Sequence, residues 1–125
     1  MTQILVIDDA PDMREMLGQT LRTAGYEVVL ASDGKEGVRL HRANPASLVI
    51  TDLFMPNQEG LETIGELHRD FPQVPIIAIC GYSGASDFLR IAEHLGANHT
   101  LAKPFQVHEL LNIVKKALPS EPMNR

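Results

Sequence analysis

The chain holds a single cysteine, Cys80, and no tryptophan. One thiol excludes an internal disulfide and fits a reducing, cytoplasmic compartment. Basic residues are also few: Lys+Arg 11 against Asp+Glu 16, a net charge of −5. The only adjacent basic pair is Lys115-Lys116. Nucleic-acid binding wants a basic stripe, so no direct contact with nucleic acid is expected. No apolar run approaches membrane-spanning length, which excludes a helical membrane protein. Met1 leads into an apolar strand without a basic n-region or cleavage site, so no signal peptide is read. His41, His68, His94, His99 and His108 lack compact metal-ligand spacing and read as surface or helix-end residues.

What is present is a regular alternation. Its 125 residues are one domain's worth. Short apolar runs alternate with helical patterns five times, which argues for βα units and a parallel sheet. Strands are expected over Gln3–Ile7, Glu27–Ala31, Ser47–Thr51, Ile76–Cys80 and Asn98–Ala102. Helices are expected over Pro11–Ala24, from Asp33 to Asn44, and over Gln58–Asp70, Ala85–Leu95 and Gln106–Leu118. Met13, Met16, Leu17, Leu21 and Ala24 form the first inward stripe. Leu61 and Ile64, with Leu67 or His68, face inward on the third helix. Val107, Leu111, Val114 and Leu118 do so on the last. Asp33 is expected to cap a helix, with Glu36 three residues on. Gly81-Tyr82-Ser83-Gly84 reads as a mobile loop, and 119–125 as a frayed tail behind a domain spanning 1–118.

Four charged positions stand just past these runs. Ile4-Leu5-Val6-Ile7 leads into Asp8-Asp9, Leu48-Val49-Ile50-Thr51 into Asp52, and His99–Ala102 into Lys103-Pro104. Parallel strands would bring all four to the carboxyl edge of one sheet, where open α/β folds place their chemistry. Close carboxylates repel by about 4 kcal/mol per pair at an effective dielectric near 20. Such a cluster calls for a cation. All-oxygen donors select a hard one, Mg²⁺ or Mn²⁺. Taken singly, each residue has a bland reading: an N-cap, a turn residue, a solvated lysine. Their joint placement is what points to a site.

The set Asp8-Asp9, Asp52 with Met55-Pro56 and Gly60 behind it, and Lys103-Pro104-Phe105 resembles a response-regulator receiver domain from Thr2 to Leu118. The resemblance implies a doubly wound, flavodoxin-like α/β fold: a five-stranded parallel sheet of order 2-1-3-4-5 with five helices. It implies that Asp52 is the phosphoacceptor, attacking a phosphohistidine of a sensor histidine kinase or phosphotransfer protein. Asp8, Asp9, Asp52 and the backbone carbonyl of Phe54 would hold Mg²⁺, and Lys103 a phosphoryl oxygen. A cis peptide before Pro104 is frequent in the family. Arg14, Pro104 and Phe105 would touch the partner.

Two switch positions depart from the family. Cys80 stands where a Ser or Thr hydroxyl is usual, and a thiol is a weak donor. Thr100 stands where an aromatic ring is usual. Phosphorylation of Asp52 is therefore expected to survive while its coupling is weakened or rerouted. Phe54 and Tyr82, which would flank the phosphoryl group, offer no acid or amide to orient water, so slow hydrolysis is expected.

The leading reading is a phosphorylation-switched signalling receiver. It would not be an enzyme beyond assisting its own phosphorylation and dephosphorylation. It would be stand-alone or cut from a larger regulator, monomeric or weakly dimeric, with a downstream protein target. The alternative is a receiver-fold binding module that works with little phosphorylation. A phosphohydrolase is disfavoured by Asp8-Asp9 in place of Asp-x-Asp and by the lack of room for a lid. An electron carrier is disfavoured because the acidic first loop cannot cradle a flavin phosphate.

Overall fold

A computed structural model of the chain describes residues 2–53, 55, 59–81 and 85–118. Its strands are β1 (Gln3–Ile7), β2 (Glu27–Ala31), β3 (Leu48–Asp52), β4 (Ile76–Cys80) and β5 (His99–Ala102). Between and after them run α1 (Pro11–Thr23), α2 (Gly34–Ala43), α3 (Glu59–Asp70), α4 (Ala85–Leu95) and α5 (Val107–Ala117). All four strand pairings are parallel, in the order β2-β1-β3-β4-β5. The expected fold class is therefore the one observed.

Strand periodicity sorts the core into two layers. Ile4, Val6, Leu48, Ile50, Ile77 and Ile79 face Leu17 and Leu21 of α1 and Leu110 and Val114 of α5. Leu5, Ile7, Val49, Ala78 and Cys80 face Val38 of α2, Ile64 and Leu67 of α3 and Ala92 of α4. Central strands covered on both faces need continuous apolar runs, and β1, β3 and β4 have them. Each fully buried Leu or Ile contributes roughly 1.5–3 kcal/mol, which makes these strands the rigid base of the sheet's edge.

Helix ends follow local chemistry. Pro11 opens α1, and Gly25 just past its end takes φ 102°. Asp33 caps α2 by accepting the Glu36 N–H at 2.8 Å. The Glu36 carboxylate reaches back to the N–H and hydroxyl of Ser32, one residue short of the reciprocal box expected.

Several expected inward positions are not inward. Val107 is exposed and Leu111 half-buried, while Leu110, which was not singled out, is fully buried. A helix starting at Val107 turns Leu110 and Val114 to the sheet. On α1, Met16 and Ala24 are exposed, and Gly18 fills the stripe instead. On α3, Leu67 is the inward residue and His68 is exposed. His41 is a further correction: it sits at a helix end but is buried. Its Nδ1 accepts the Ala46 N–H at 3.0 Å, and its ring meets Phe71 edge-on at 4.6 Å. Tyr82, Ser83 and Gly84 of the expected loop, the tail 119–125 and Gln58 lie outside the described residues.

Candidate functional site

The register of the central strands assembles the site. β1 pairs with β3 so that Ile7 lies beside Thr51. The next residues, Asp8 just past β1 and Asp52 at the end of β3, therefore come to the same edge of the sheet. β1 and β3 are also where the winding direction reverses, the crevice that α/β folds use for ligands. β5 adds the fourth group: Cys80 pairs with Ala102, and the Lys103 N–H donates to the Cys80 carbonyl at 2.9 Å.

One carboxylate oxygen each from Asp8, Asp9 and Asp52 lies within 4.8 Å of the others. Asp8 and Asp52 are buried and Asp9 is exposed. The Lys103 ammonium stands 3.5 Å from Asp52 Oδ2. At that length the contact is chiefly attraction of opposite charges rather than a short hydrogen bond. The Asp8 carboxyl is held above the usual carboxylate range. Burial is the main cause, and the Asp52 and Asp9 charges add to it. The Ala10 N–H and Lys103 oppose the rise without cancelling it. This pocket binds negative charge at a cost, which a cation would relieve.

The donor set suits Mg²⁺. Asp8, Asp9 and Asp52 would hold such an ion, whose charge would offset their mutual repulsion. Oxygen-only donors favour Mg²⁺ or Mn²⁺ over softer metals. The Phe54 carbonyl expected as a further ligand lies outside the described residues.

Glycines let backbone and lysine approach. A Cβ on Gly60 would stand 2.5 Å from the Asp52 carbonyl oxygen and 2.6 Å from Leu53 Cα. The first turn of α3 thus lies directly on the backbone of Asp52. A Cβ on Gly81 would meet the Lys103 stem at 2.6 Å. Room for Lys103 is a physical reason for Gly81 that the sequence did not show.

The remaining expected residues fall as follows. Cys80 is fully buried among Leu53, Met55 and Ala78, in the apolar core. Thr100 is half-buried and pairs with Ala78 of β4. The Lys103-Pro104 peptide is cis, as expected. Pro104 is exposed, but Phe105 is half-buried and packs against the α1–α5 layer rather than standing free. Arg14 is half-buried, and its Nη1 donates to the Asp8 carbonyl at 2.8 Å. Glu59, which sequence reasoning passed over, accepts the Gly34 N–H at 2.7 Å. An acid in a first helical turn looks like a dipole contact to its own helix, so a bond to a different helix carries no sequence signal.

This is the class of doubly wound α/β proteins with an acidic pocket at the switch point. Comparison with known proteins narrows it. The family model for the response regulator receiver domain matches residues 4–115. The chain is 36% identical over 116 residues to the probable transcriptional regulator ycf27 of Porphyridium aerugineum, covering 93% of this chain and 48% of that one. It is 34% identical over 117 residues to the C4-dicarboxylate transport transcriptional regulatory protein DctD of Pseudomonas aeruginosa, covering 94% and 25%. It therefore spans between a quarter and a half of the length of these relatives. Among solved structures, response regulator TrrA of Thermotoga maritima, in complex with Mg²⁺-BeF, superposes with TM-score 0.85. That pair shares 36% identity and covers 94% of this chain and 100% of that one. Chemotaxis protein CheY4 of Vibrio cholerae gives TM-score 0.86 at 28% identity, with coverage of 94% and 99%. The chain belongs to the response regulator receiver domain family. Members are signalling domains of two-component systems.

Proposed function

We propose that this chain is a phosphorylation-switched receiver with Asp52 as its phosphoacceptor. The observation that carries this is the meeting of Asp8, Asp9 and Asp52 with the Lys103 ammonium at one sheet edge. A carboxylate oxygen of Asp52 would attack the phosphorus of a phosphohistidine. The new P–O bond forms as the P–N bond breaks, and the imidazole nitrogen leaves with the electron pair. The donor is a sensor histidine kinase or phosphotransfer protein. Asp8, Asp9 and Asp52 would hold Mg²⁺, which supplies positive charge against the transferring phosphoryl oxygens. Lys103, freed from its 3.5 Å contact with Asp52, would take another phosphoryl oxygen as a point charge. The similarity to TrrA, whose structure contains Mg²⁺-BeF, supports the cation reading.

Output would pass through protein contacts on α4, β5 and α5, where Ile91, Leu95 and Val107 are exposed. Cys80 and Thr100 would serve as a weakened switch pair. A net charge of −5 argues against these residues touching nucleic acid themselves. Among the described residues no helix is long and apolar enough to cross a membrane.

The test is intact-mass spectrometry after incubation with a small acyl phosphate, with and without Mg²⁺. One Mg²⁺-dependent phosphoryl adduct, absent in Asp52→Asn, is expected. No adduct on a chain that binds Mg²⁺ would instead indicate a phosphorylation-independent binding module.

A further inference from the structure

Asp8 is tied at three points. Its N–H donates to the Ala31 carbonyl of β2 at 3.1 Å. Its Oδ1 accepts the Ala10 N–H at 2.9 Å. Its carbonyl accepts from Arg14 Nη1 at 2.8 Å. The first two ties use backbone N–H groups that any sequence would supply. The third is made by another residue's side chain, reaching back from α1. It is also the one that bears on Asp9, because the Asp8 carbonyl belongs to the peptide that leads into Asp9.

That peptide is the weak point of the pocket. Asp52 ends the buried strand β3, and Asp8, just past β1, is buried and tied to β2 through its N–H, whereas Asp9, next in the same loop before α1, is exposed. Where its carboxylate points is set by the two backbone torsions beside the Asp8 carbonyl. A charge-assisted hydrogen bond to that carbonyl limits both. Lys103 is the cation that lowers the cost of the Asp8 charge. Arg14's bond is to the backbone instead, so it acts on geometry.

We propose that Arg14 is a positioning residue of the cation pocket, holding the Asp8–Asp9 peptide so that the exposed Asp9 carboxylate faces Asp8 and Asp52. This rests on the reading of those carboxylates as cation ligands. It replaces the expectation that Arg14 serves chiefly in docking a partner.

The two roles separate by the donor used. The full chain is compared as wild type, Arg14→Ala and Arg14→Lys. Mg²⁺ affinity is read by titration calorimetry, and phosphorylation is read with a small acyl phosphate that needs no docking surface. Loss of an outer partner that orients a metal ligand typically costs 10–100-fold in metal affinity. Arg14→Ala is expected to weaken Mg²⁺ by about tenfold, the lower end of that range, and to slow the small-donor reaction at subsaturating Mg²⁺. High Mg²⁺ should restore the rate, and a melting temperature in chelator close to that of the wild type separates mispositioning from general destabilisation, which Mg²⁺ would also relieve. Arg14→Lys keeps a cationic donor and should fall between the two; it carries the measurement if Arg14→Ala does not fold. Unchanged Mg²⁺ affinity in either folded variant, with a defect seen only toward a protein phosphodonor, would overturn the proposal and restore the docking role. A wild type that binds no Mg²⁺ would overturn the cation reading itself and this inference with it.

Discussion

The carboxylate of Glu59 accepts the backbone N–H of Gly34 across 2.7 Å, joining the first residue of α3 to the first residue of α2. Two acids therefore serve the start of α2, since Asp33 already accepts the Glu36 N–H there. The tie also anchors the far end of the segment that leaves Asp52. Gly34 is buried, and a Cβ on it would collide with Thr63 Oγ1 of α3. Water cannot readily replace the acceptor. Leaving a buried N–H unpaired costs about 1–3 kcal/mol. Glu59→Ala should therefore lower unfolding free energy by roughly that amount in urea titrations. Glu59→Gln keeps a carbonyl acceptor and should lose much less. Equal losses in the two variants would mean that the Gly34 bond is not what Glu59 contributes.

Gly60→Ala sets two effects of known size against each other. Replacing Gly with Ala gains up to about 1 kcal/mol in a helix interior and less at Gly60, the second residue of α3. Here the new Cβ would sit 2.5 Å from the Asp52 carbonyl oxygen and 2.6 Å from the Leu53 carbonyl oxygen, both backbone atoms that cannot swing aside. The clash should win, and α3 must lift off the backbone of Asp52. The expected result is a lower Tm and a phosphorylation rate reduced by about tenfold or more, the scale of a reacting group misplaced by a fraction of an ångström to an ångström. A variant more stable than wild type with an unchanged rate would show that the helix start has slack.

The central strands were legible in the sequence because runs covered on both faces are continuous and apolar, and Asp8 and Asp52 end two of them sharply. Lys103 follows the mixed edge run His99–Ala102 and was legible through its resemblance, with Pro104 and Phe105. Leu110 was missed because α5 also carries Val107 and Leu111, with Leu118 just past its end, so a stripe drawn one residue off is just as apolar. The burial of His41 was missed because its partners are a backbone N–H and a ring 30 positions away, which leave no local pattern. Arg14 and Glu59 make ties that were passed over for the same cause. Each bonds a backbone group on another segment, and only the fold brings that group near.

Asp8 makes the metal-free pocket a source of instability at neutral pH. Its carboxyl titrates above its unfolded value of 3.8, chiefly because it is buried. A raised carboxyl favours the folded state below the unfolded pKa, and that benefit is lost as pH rises through the folded one. At pH 7 the charge therefore opposes folding. Asp8→Asn should raise Tm in chelator, while Mg²⁺ should raise Tm of the wild type far more than that of the variant. At 100 times Kd, one bound ion stabilises by about 2.7 kcal/mol. A variant less stable than wild type in chelator would show that the Ala10 bond to the ionised carboxylate outweighs its burial.

His41 predicts a second pH response, opposite in sign and far from the pocket. Its Nδ1 accepts the Ala46 N–H at 3.0 Å, so the ring is neutral with its proton on Nε2. Burial lowers its pKa from the ordinary 6.5. The unfolded chain then takes up a proton before the folded chain does. Stability is complete above pH 6.5 and falls as the pH drops from there toward the lower folded value. For one group the slope cannot exceed about 1.4 kcal/mol per pH unit. Protonation would also remove the acceptor for Ala46, on the connection that leads into β3 and so toward Asp52. Urea titrations of wild type and His41→Gln from pH 7.5 down to about 5.5 isolate this group, because the carboxylates, Asp8 among them, contribute equally to both proteins. Relative to the variant, which is less stable at pH 7.5, the wild type should lose stability over this range, so the gap between them narrows. Parallel curves for the two proteins would assign the slope to other histidines and leave His41 a packing residue alone.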